Sequence, residues 1–316
     1  MSHGEFERIE RLRAIFGEPP APDVGIGDDA AILHPDGPVI ATVDAAVEGV
    51  HFRRDLLSLE DASSRAIEAA ASDVAAMGGD LNGPGCGLLL AWTLPRGISD
   101  DDFEALLLGA RRAADRLSTR IVGGNLASSA TLSLTTTALG RCLGAPTTRS
   151  GARPGDVIAV SGPIGAAAIG LRALLSGLGD DPGFTPFIER WRAPRARVDV
   201  AREVALNATA AIDISDGLAQ DAGHLASASR CGLVLFPEML PMLGGQRSAA
   251  AKLGLDADTS AIEGGEDYVV LATGPRARFG GAWVVIGEVI EGAGVFVSAG
   301  GIRRAIEGRG WDHFIG

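Results

Sequence analysis

The feature that most constrains this chain is an acidic turn that recurs where apolar segments end. Residues 211–218 form a short apolar run that ends in Asp213, Ser215 and Asp216, and a helix is predicted to start at or near Asp216. Alternation along a strand places Asp213 and Ser215 on one face. Carboxylates beside a helix N-terminus are usually explained by capping and by the helix dipole. Acidic residues also follow Gly or Ser at 27–29, 72–73 and 265–267, and another Asp follows an apolar run at 43–44. This repetition predicts a shared site for divalent metal.

Convergence of these carboxylates would itself imply bound cations. At low effective dielectric, like charges brought together repel one another strongly, whereas Mg²⁺ takes oxygen ligands and commonly joins carboxylates to substrate phosphates. The candidate ligands come from four separate segments: Asp28, Asp29, Asp44, Asp73, Asp213 and Asp216. For Asp73 an alternative stays open, because a carboxylate at the edge of an apolar helix stripe can also reach water. A further acidic run, residues 100–102 after Ser99, is predicted to be a solvated helix start and not a metal site.

Composition excludes several classes of protein. With 316 residues, 46% of them hydrophobic, the chain can form one large or two medium domains. Its net charge of −12 argues against nucleic-acid binding, which needs basic patches. Phosphate-bearing small molecules stay compatible, because Mg²⁺ can bridge them to carboxylates. The chain has a single lysine, Lys252, so neither a P-loop lysine nor a protein-kinase lysine is present.

Cysteine usage and the N-terminal segment predict a cytoplasmic location. Cys86, Cys142 and Cys231 lie far apart in the sequence and are expected to be reduced thiols. The first residues are charged and lack an apolar signal core, and no apolar run approaches the roughly 18 residues of a membrane helix. We therefore expect no membrane partner.

Strands and helices alternate in both halves, which predicts an α+β or α/β protein of two domains. The local composition changes at residues 149–156, Arg-Ser-Gly-Ala-Arg-Pro-Gly-Asp. The domain boundary is therefore placed there, which predicts domains 1–148 and 149–316. A strand over 38–47 carries Asp44, and a helix over 60–78 carries Asp73. Further predictions are a short strand that ends at Gly123-Gly124 and a helix over 194–207.

Phosphoryl transfer suits this set of residues, because it needs mainly positioning and charge neutralisation. Gly123-Gly124 would let a phosphate approach the backbone closely, and Arg149 would clamp an anion. The plainer alternatives stay open, since a Gly-Gly pair is more often a simple turn and a lone Arg is usually solvated.

Motifs along the whole chain carry a family resemblance. Acidic motifs lie at 25–31, 43–44, 72–78, 213–218 and 264–268, and Arg-Ser-Gly-Ala-Arg-Pro-Gly-Asp lies at 149–156. More distinctive are Gly-Glu-Phe at 4–6, Glu-Gly-Val-His-Phe at 48–52 and Asp-His-Phe at 312–314. In this order and spacing, the chain resembles the thiamine-monophosphate kinases, whose superfamily includes phosphoribosyl-aminoimidazole synthetase and selenophosphate synthetase.

The resemblance implies ATP-dependent phosphorylation of thiamine monophosphate to thiamine diphosphate by direct, Mg²⁺-assisted transfer. It also implies an aminoimidazole-ribonucleotide-synthetase-like fold. Its N-terminal domain binds ATP and Mg²⁺ and pairs its sheet in a homodimer, and its C-terminal α/β layered domain completes the active site. Asp213 and Asp216 would be catalytic. The implied metal ligands are Asp29, Thr42, Asp44, Asp73, Asn125, Asp213 and Asp216. The implied ATP contacts are Gly124, Asn125, Arg149 and Ser215, and the implied substrate contacts are His51, Glu266 and Trp311. The alternative for Trp311 is that it packs on the core as a tail residue and does not contact the substrate.

The chain departs from the family pattern at several positions. The family has Gly-Gly-Asp-Thr-Thr where this chain has Gly-Gly-Asn-Leu-Ala at 123–127, so Asn125 keeps an oxygen ligand but lacks the charge. Val269 replaces a Glu, and Leu108 stands where an aromatic residue is common near the adenine. Two alternatives follow: another ATP-using superfamily member with a different acceptor, and a non-catalytic nucleotide-binding paralogue. The first alternative is disfavoured because no Cys lies in an N-terminal glycine-rich loop.

Overall fold

The computed structural model describes residues 5–19, 22–26 and 30–306, and the side chains of all of these except Glu5 and Phe6. The chain forms two compact units. The first contains Met1–Val74 and Gly79–Cys142, and the second contains Ala75–Gly78 and Leu143–Gly316. The functional domains 1–148 and 149–316 stay a prediction.

The described residues of the first unit form a five-stranded sheet with three α-helices. Its elements are α1 (Glu5–Phe16), β1 (Val39–Val47), α2 (Leu59–Ala76), β2 (Gly79–Asp80), β3 (Gly87–Pro95), α3 (Asp100–Arg116), β4 (Ile121–Ser129) and β5 (Ser133–Cys142). The strand order is β1-β5-β3-β4, and β2 pairs with β5. Only β3 and β4 of these described strands run parallel, because α3 carries the chain across between them.

One face of this sheet is buried and the other is open. Along β3, Leu88, Leu90 and Trp92 are buried while Ala91 between them is exposed. β1 alternates in the same way, with Ile40 buried and Val43 exposed. This is the pattern of a sheet with one face against a core. Ser99 caps α3 as predicted, its Oγ accepting the Asp102 N–H at 3.0 Å.

The second unit is a seven-stranded sheet with helices. Its strands are β6 (Val157–Val160), β7 (Ala210–Asp213), β8 (Gly232–Leu235), β9 (Val270–Gly274), β10 (Val284–Ile290), β11 (Gly294–Ala299) and β12 (Ile302–Ile306). Its α-helices are α4 (Ala166–Leu175), α5 (Thr185–Arg192), α6 (Ala201–Asn207), α7 (Leu218–Ser229), α8 (Gln246–Lys252) and α9 (Ala257–Glu263). The strand order is β12-β11-β8-β10-β6-β9-β7, and among these described strands only β8 and β11 run parallel.

A single apolar core connects this sheet to α7. Ile158, Ile212 and Leu233 of the strands pack with Leu218 and Leu225 of the helix. Together with Ala222 these helix residues lie on one face at positions i, i+4 and i+7, which is the pattern that predicted α7. The core therefore fixes both ends of the acidic turn between β7 and α7.

The predicted two-domain class with mixed sheets and helices is confirmed, but several element boundaries were wrong. The helix expected from Asp216 begins at Leu218. The helix expected over 194–207 is a 3₁₀ turn, Val198–Val200, followed by α6, because the backbone of Arg197 (φ −86°, ψ +51°) is not helical. Four short elements were missed: β2, α5, α9 and β12. Among the described helices, none combines the length and the apolar character needed to cross a membrane.

Candidate functional site

In the first unit, two neighbouring elements present acidic and hydroxyl groups to each other. Thr42 and Asp44 share the inward face of β1 with Ile40. Asp73 lies on α2 and is half-buried. The Thr42 hydroxyl donates to Asp73 Oδ2 at 2.5 Å. Asp73 therefore has a protein partner in addition to any contact with water.

A buried hydroxyl without a partner lies beside these groups. Thr136 stands directly opposite Asp44 in the β1–β5 register, so the two side chains share a face. Thr136 is fully buried, and its Oγ1 has no hydrogen-bond partner among the described residues. An unpaired buried hydroxyl is costly. A hydroxyl and two carboxylates in a sheltered position form an oxygen-rich donor set, which fits a hydrated hard cation such as Mg²⁺.

Gly124 lies inside β4, where the chain has room only for glycine. Its φ is +155°, and a Cβ built on it would lie 2.0 Å from the Leu90 carbonyl oxygen. Gly124 lies on the same cross-sheet row as Asp44. Three register pairs connect the two residues: Asp44–Thr136, Thr136–Leu90 and Leu90–Gly124. The predicted end of the strand at Gly123-Gly124 was wrong, because the pair continues the sheet next to β3. Packing against Leu90 is thus sufficient to explain this glycine.

Asn125 lies on the other face of the same sheet. Asn125 pairs with Ala91, Ala91 pairs with Thr135, and Thr135 pairs with Ala45. The Asn125 side chain is exposed. Adjacent residues of a strand point to opposite faces, so Asn125 faces away from the side that carries Asp44. Within one chain, the register does not bring Asn125 to the Thr42–Asp73 pair. Leu108 of α3 is also exposed.

His51 is oriented by the turn that follows β1. The Val47 N–H donates to His51 Nδ1 at 3.1 Å, and Gly49 N–H bonds to the Phe52 carbonyl at 2.8 Å. Because Nδ1 accepts a hydrogen bond, the neutral ring carries its proton on Nε2. His51 can therefore offer an N–H donor to an anionic or carbonyl oxygen.

In the second unit, the acidic turn is compact and partly buried. β7 ends at Asp213, so Ser215 lies in the turn, and the predicted shared strand face was wrong. Asp213 is buried, whereas Ser215 and Asp216 are half-buried. Gln220 Nε2 donates to Asp216 Oδ2 at 3.1 Å.

Asp221 organises this turn from within α7. Its Oδ2 accepts the backbone N–H groups of Ser215, Asp216 and Gly217 at 3.1, 3.2 and 3.1 Å. Burial, together with the nearby Asp216 charge, raises the pKa of Asp221 to about 7. The sequence analysis missed this residue. The available signal was a carboxylate a few residues inside a helix start, the position from which a side chain can reach back to the turn.

One residue of this turn and two residues of α7 form a candidate metal-ligand group. Asp216, Asp221 and His224 each offer one ligand atom, and these atoms lie within 4.8 Å of one another. His224 is exposed. Oxygen donors predominate, as a hard cation requires.

A second acidic turn, residues 264–268, is hydrogen-bonded to the first. Glu266 N–H donates to the Ser215 carbonyl at 2.7 Å, and Tyr268 N–H donates to the Ile214 carbonyl at 2.9 Å. Glu266 and Tyr268 have positive φ values of +68° and +49°, which non-glycine residues seldom adopt. Such strained conformations persist only where the surroundings hold them. The two turns therefore form one rigid frame.

The helix α5, which the sequence analysis missed, supports the second turn. Trp191 Nε1 donates to Glu266 Oε2 at 2.6 Å, and Arg190 Nη2 donates to the Asp267 carbonyl at 3.3 Å. Asp267 is fully buried, and its carboxylate accepts the Gly165 N–H at 2.6 Å. Burial raises the pKa of Asp267 to about 7. Asp267 is thus a structural carboxylate, while Glu266 is half-buried and held by Trp191.

Arg149 lies on a segment attached next to β7. Its carbonyl accepts the Ser229 hydroxyl at 2.9 Å, and the preceding Thr148 carbonyl accepts the Ala211 N–H at 3.0 Å. The Arg149 side chain is exposed and can contact an anion. The predicted site residues Asp29 and Trp311 lie outside the described residues, as do Asp28 and the motif at 312–314.

The two parts of the chain match two family models. Residues 27–142 match AIR synthase related protein, N-terminal domain. Residues 153–300 match AIR synthase related protein, C-terminal domain. The two matches together span well over half of the sequence.

Individual relatives are similar over nearly the full length. A thiamine-monophosphate kinase of Aquifex aeolicus is 34% identical over 299 residues, which cover 92% of each chain. One from Methanopyrus kandleri is 35% identical over 281 residues, 87% of this chain and 86% of the relative. Among solved structures, AaThiL complexed with AMPPCP and TMP has a TM-score of 0.82 and 33% identity, over 99% of both chains.

Proposed function

The chain belongs to the thiamine-monophosphate kinases, within the AIR synthase related proteins, and we propose that its two acidic groups bind the Mg²⁺ and the phosphates of that reaction. The protein catalyses the ATP-dependent phosphorylation of thiamine monophosphate to thiamine diphosphate. The observation that carries this conclusion is the match to AaThiL complexed with AMPPCP, an ATP analogue, and TMP. The aminoimidazole-ribonucleotide-synthetase-like fold is confirmed by the same matches.

Mg²⁺ would be held by Thr42, Asp44 and Asp73 in the first unit and by Asp213 and Asp216 in the second. The orphaned Thr136 hydroxyl beside Asp44 and the oxygen-rich donor sets support this assignment. When bound, the metal neutralises the negative charge that the transferred phosphoryl group carries. Asp29 and Asn125, the other ligands that the resemblance implies, stay predictions, because Asp29 lies outside the described residues and Asn125 faces the side of the sheet opposite Asp44.

The protein's own residues orient the reactants and need no covalent role. A phosphate oxygen of thiamine monophosphate attacks the terminal phosphorus of ATP, the bond to the bridging oxygen breaks, and ADP leaves. Gly124, Arg149 and Ser215 would contact ATP, with the exposed Arg149 guanidinium able to bind phosphate in a bidentate manner.

The acceptor would be recognised by the remaining site residues. His51, whose Nδ1 accepts the Val47 N–H and whose neutral ring therefore carries its proton on Nε2, would donate to the thiamine phosphate. Glu266, oriented by Trp191, would face the cationic heterocycle, and Trp311 would stack on it. A rigid carboxylate of this kind favours a positively charged ligand.

Two alternatives from the sequence are testable. A different acceptor predicts ATP turnover only with another substrate. A non-catalytic paralogue, motivated by the missing charge at Asn125, predicts binding of ATP without transfer to any acceptor. In that case, Asn125→Asp would be the natural substitution to restore transfer.

We further propose that the protein is a cytoplasmic homodimer. The open face of the first sheet exposes Val39 and Val43, and apolar side chains on a sheet face favour a covering partner. Cys86, Cys142 and Cys231 are free thiols, as in a reducing compartment. A solution mass near twice 32.3 kDa by light scattering would support the dimer, and a mass near 32.3 kDa would refute it.

The metal role is tested by Asp216→Asn. We expect turnover, measured as thiamine diphosphate formed and ADP released with Mg²⁺, to fall at least about 100-fold, because a transition-state charge contact is lost. Asp258→Asn is the control, since Asp258 is a carboxylate of the same unit that pairs with Arg247 at 2.7 Å. Activity near that of the wild type in Asp216→Asn would contradict the metal assignment.

A further inference from the structure

Asp221 is a buried carboxylate that the proposed reaction does not use directly. It lies in the first turn of α7 and is 2% exposed. Its Oδ2 accepts three consecutive backbone N–H groups, those of Ser215, Asp216 and Gly217. Three donors that converge on one oxygen restrict the backbone of the turn far more than one bond would.

The turn needs such an acceptor because its own residues do not provide one. The first N–H groups of a helix lack intrahelical partners, and a side chain at the N-cap ordinarily accepts them. Here the N-cap is Gly217, with φ +126° and no side-chain cap. Asp221 supplies the acceptor from the helix side, so Ser215 and Asp216 do not serve as caps.

We propose that Asp221 is a positioning residue for the metal- and phosphate-binding turn. It fixes the backbone of residues 215–217 and thereby the place of Ser215 and Asp216. The inference rests on the roles proposed above for those two residues. Groups that orient metal ligands without contacting the metal strongly affect metal affinity.

A competing role for Asp221 is direct ligation of a metal together with Asp216 and His224, since their ligand atoms lie within 4.8 Å. The two roles need different properties. Positioning needs an oxygen at the place of Oδ2, whereas ligation needs the negative charge. Substitutions that separate oxygen position from charge therefore discriminate between them.

Asp221→Asn keeps a carbonyl oxygen that can accept the three N–H groups and removes the charge. Asp221→Glu keeps the charge and moves the oxygens by one C–C bond, about 1.5 Å. The matched control is Asp256→Ala in the same unit, because Asp256 also caps a helix with its carboxylate, which accepts the Thr259 N–H at 2.8 Å.

Metal affinity is measured with Mn²⁺, which takes the same oxygen ligands, from the electron paramagnetic resonance signal of the free ion with AMPPCP present. We expect Asp221→Asn to stay within about threefold of the wild type and Asp221→Glu to bind about 10- to 100-fold more weakly. The ATP KM should follow the same order. Asp256→Ala should lower the melting midpoint but leave Mn²⁺ affinity unchanged, which shows that lost stability alone does not weaken the metal. The reverse order, or wild-type affinity in both Asp221 variants, would overturn the proposal.

Asp216→Asn, measured in parallel, separates this inference from the proposed function. If Asp216→Asn weakens Mn²⁺ binding and Asp221→Glu does not, the positioning role fails and the metal site stands. If Asp216→Asn binds Mn²⁺ as the wild type does, the metal site is misassigned and the positioning role fails with it.

Discussion

Gly265 is the position where one added methyl group should separate the two acidic turns. A Cβ on Gly265 would lie 2.4 Å from the Ser215 carbonyl oxygen and 3.0 Å from the Asp216 carbonyl carbon. Ordinary contacts between carbon and oxygen need roughly 1 Å more than the shorter of these distances. In Gly265→Ala, one turn must therefore move away from the other.

Two losses combine in this variant. Overpacking of a well-packed region costs about 1–3 kcal/mol. The Glu266 N–H bond to the Ser215 carbonyl, 2.7 Å long, is lost or stretched, which costs about 1 kcal/mol more. We expect Gly265→Ala to reduce the free energy of unfolding by about 2–4 kcal/mol. A displacement of catalytic groups by about 1 Å can reduce the rate 100-fold, so we expect a fall of that order in kcat/KM.

Denaturant unfolding and steady-state kinetics with thiamine monophosphate measure both effects. The control is Gly223→Ala within α7, where an added Cβ would meet nothing within 4 Å. That substitution should stabilise the helix by about 0.5–1 kcal/mol and leave kcat/KM unchanged. If Gly265→Ala keeps the stability and kcat/KM of the wild type, close approach of the two turns is not required and the rigid frame is wrong.

Two further predictions concern the support of the second turn. Trp191→Phe keeps an aromatic side chain but removes the N–H donor to Glu266. We therefore expect the KM for thiamine monophosphate to rise about 10-fold. An equal rise in the KM for ATP would contradict the assignment of Glu266 to the acceptor. Burial raises the pKa of Asp267 from 3.8 to about 7, so the folded protein keeps a proton that the unfolded chain loses between these values. Stability should thus fall as pH rises from about 4 to about 7, by at most about 4 kcal/mol from this group. Denaturant unfolding at pH 5 and pH 8 measures this pH dependence of the unfolding free energy, and Asp267→Asn should remove the part that comes from Asp267. An unchanged pH dependence in Asp267→Asn would contradict the raised pKa of Asp267.

The sequence predicted the parts of this fold that depend on local pattern. The strand predicted over 38–47 is observed as Val39–Val47, and helical spacing predicted α2 and α7. Ser99 was correctly predicted to start a helix. These signals lie within a few residues of one another, so a single sequence contains them.

The parts that were missed depend on contacts between distant residues. Gly123-Gly124 resembles a turn, and only the Leu90 carbonyl of the neighbouring strand shows why Gly124 belongs in a sheet. Trp191 and Glu266 meet across 75 positions of sequence. The elements α5 and α9 have 8 and 7 residues, about two turns each, and are too short for a periodic pattern to stand out.

The difference between a helix cap and a candidate metal turn lies in the charge of the partners. The acidic run at the start of α3 is matched by cations, with Arg8 at 3.8 Å from Asp100 and Arg54 at 3.4 Å from Asp102. By contrast, the turn before α7 is held by neutral donors: the Gln220 amide for Asp216 and backbone N–H groups for Asp221. Neutral donors fix the Asp216 carboxylate in place without cancelling its charge, so a cation remains the natural counter-charge. In the sequence, the start of α3 and the turn before α7 look alike, because each contains Asp residues where a helix begins. The partners that distinguish them become visible only in the folded chain.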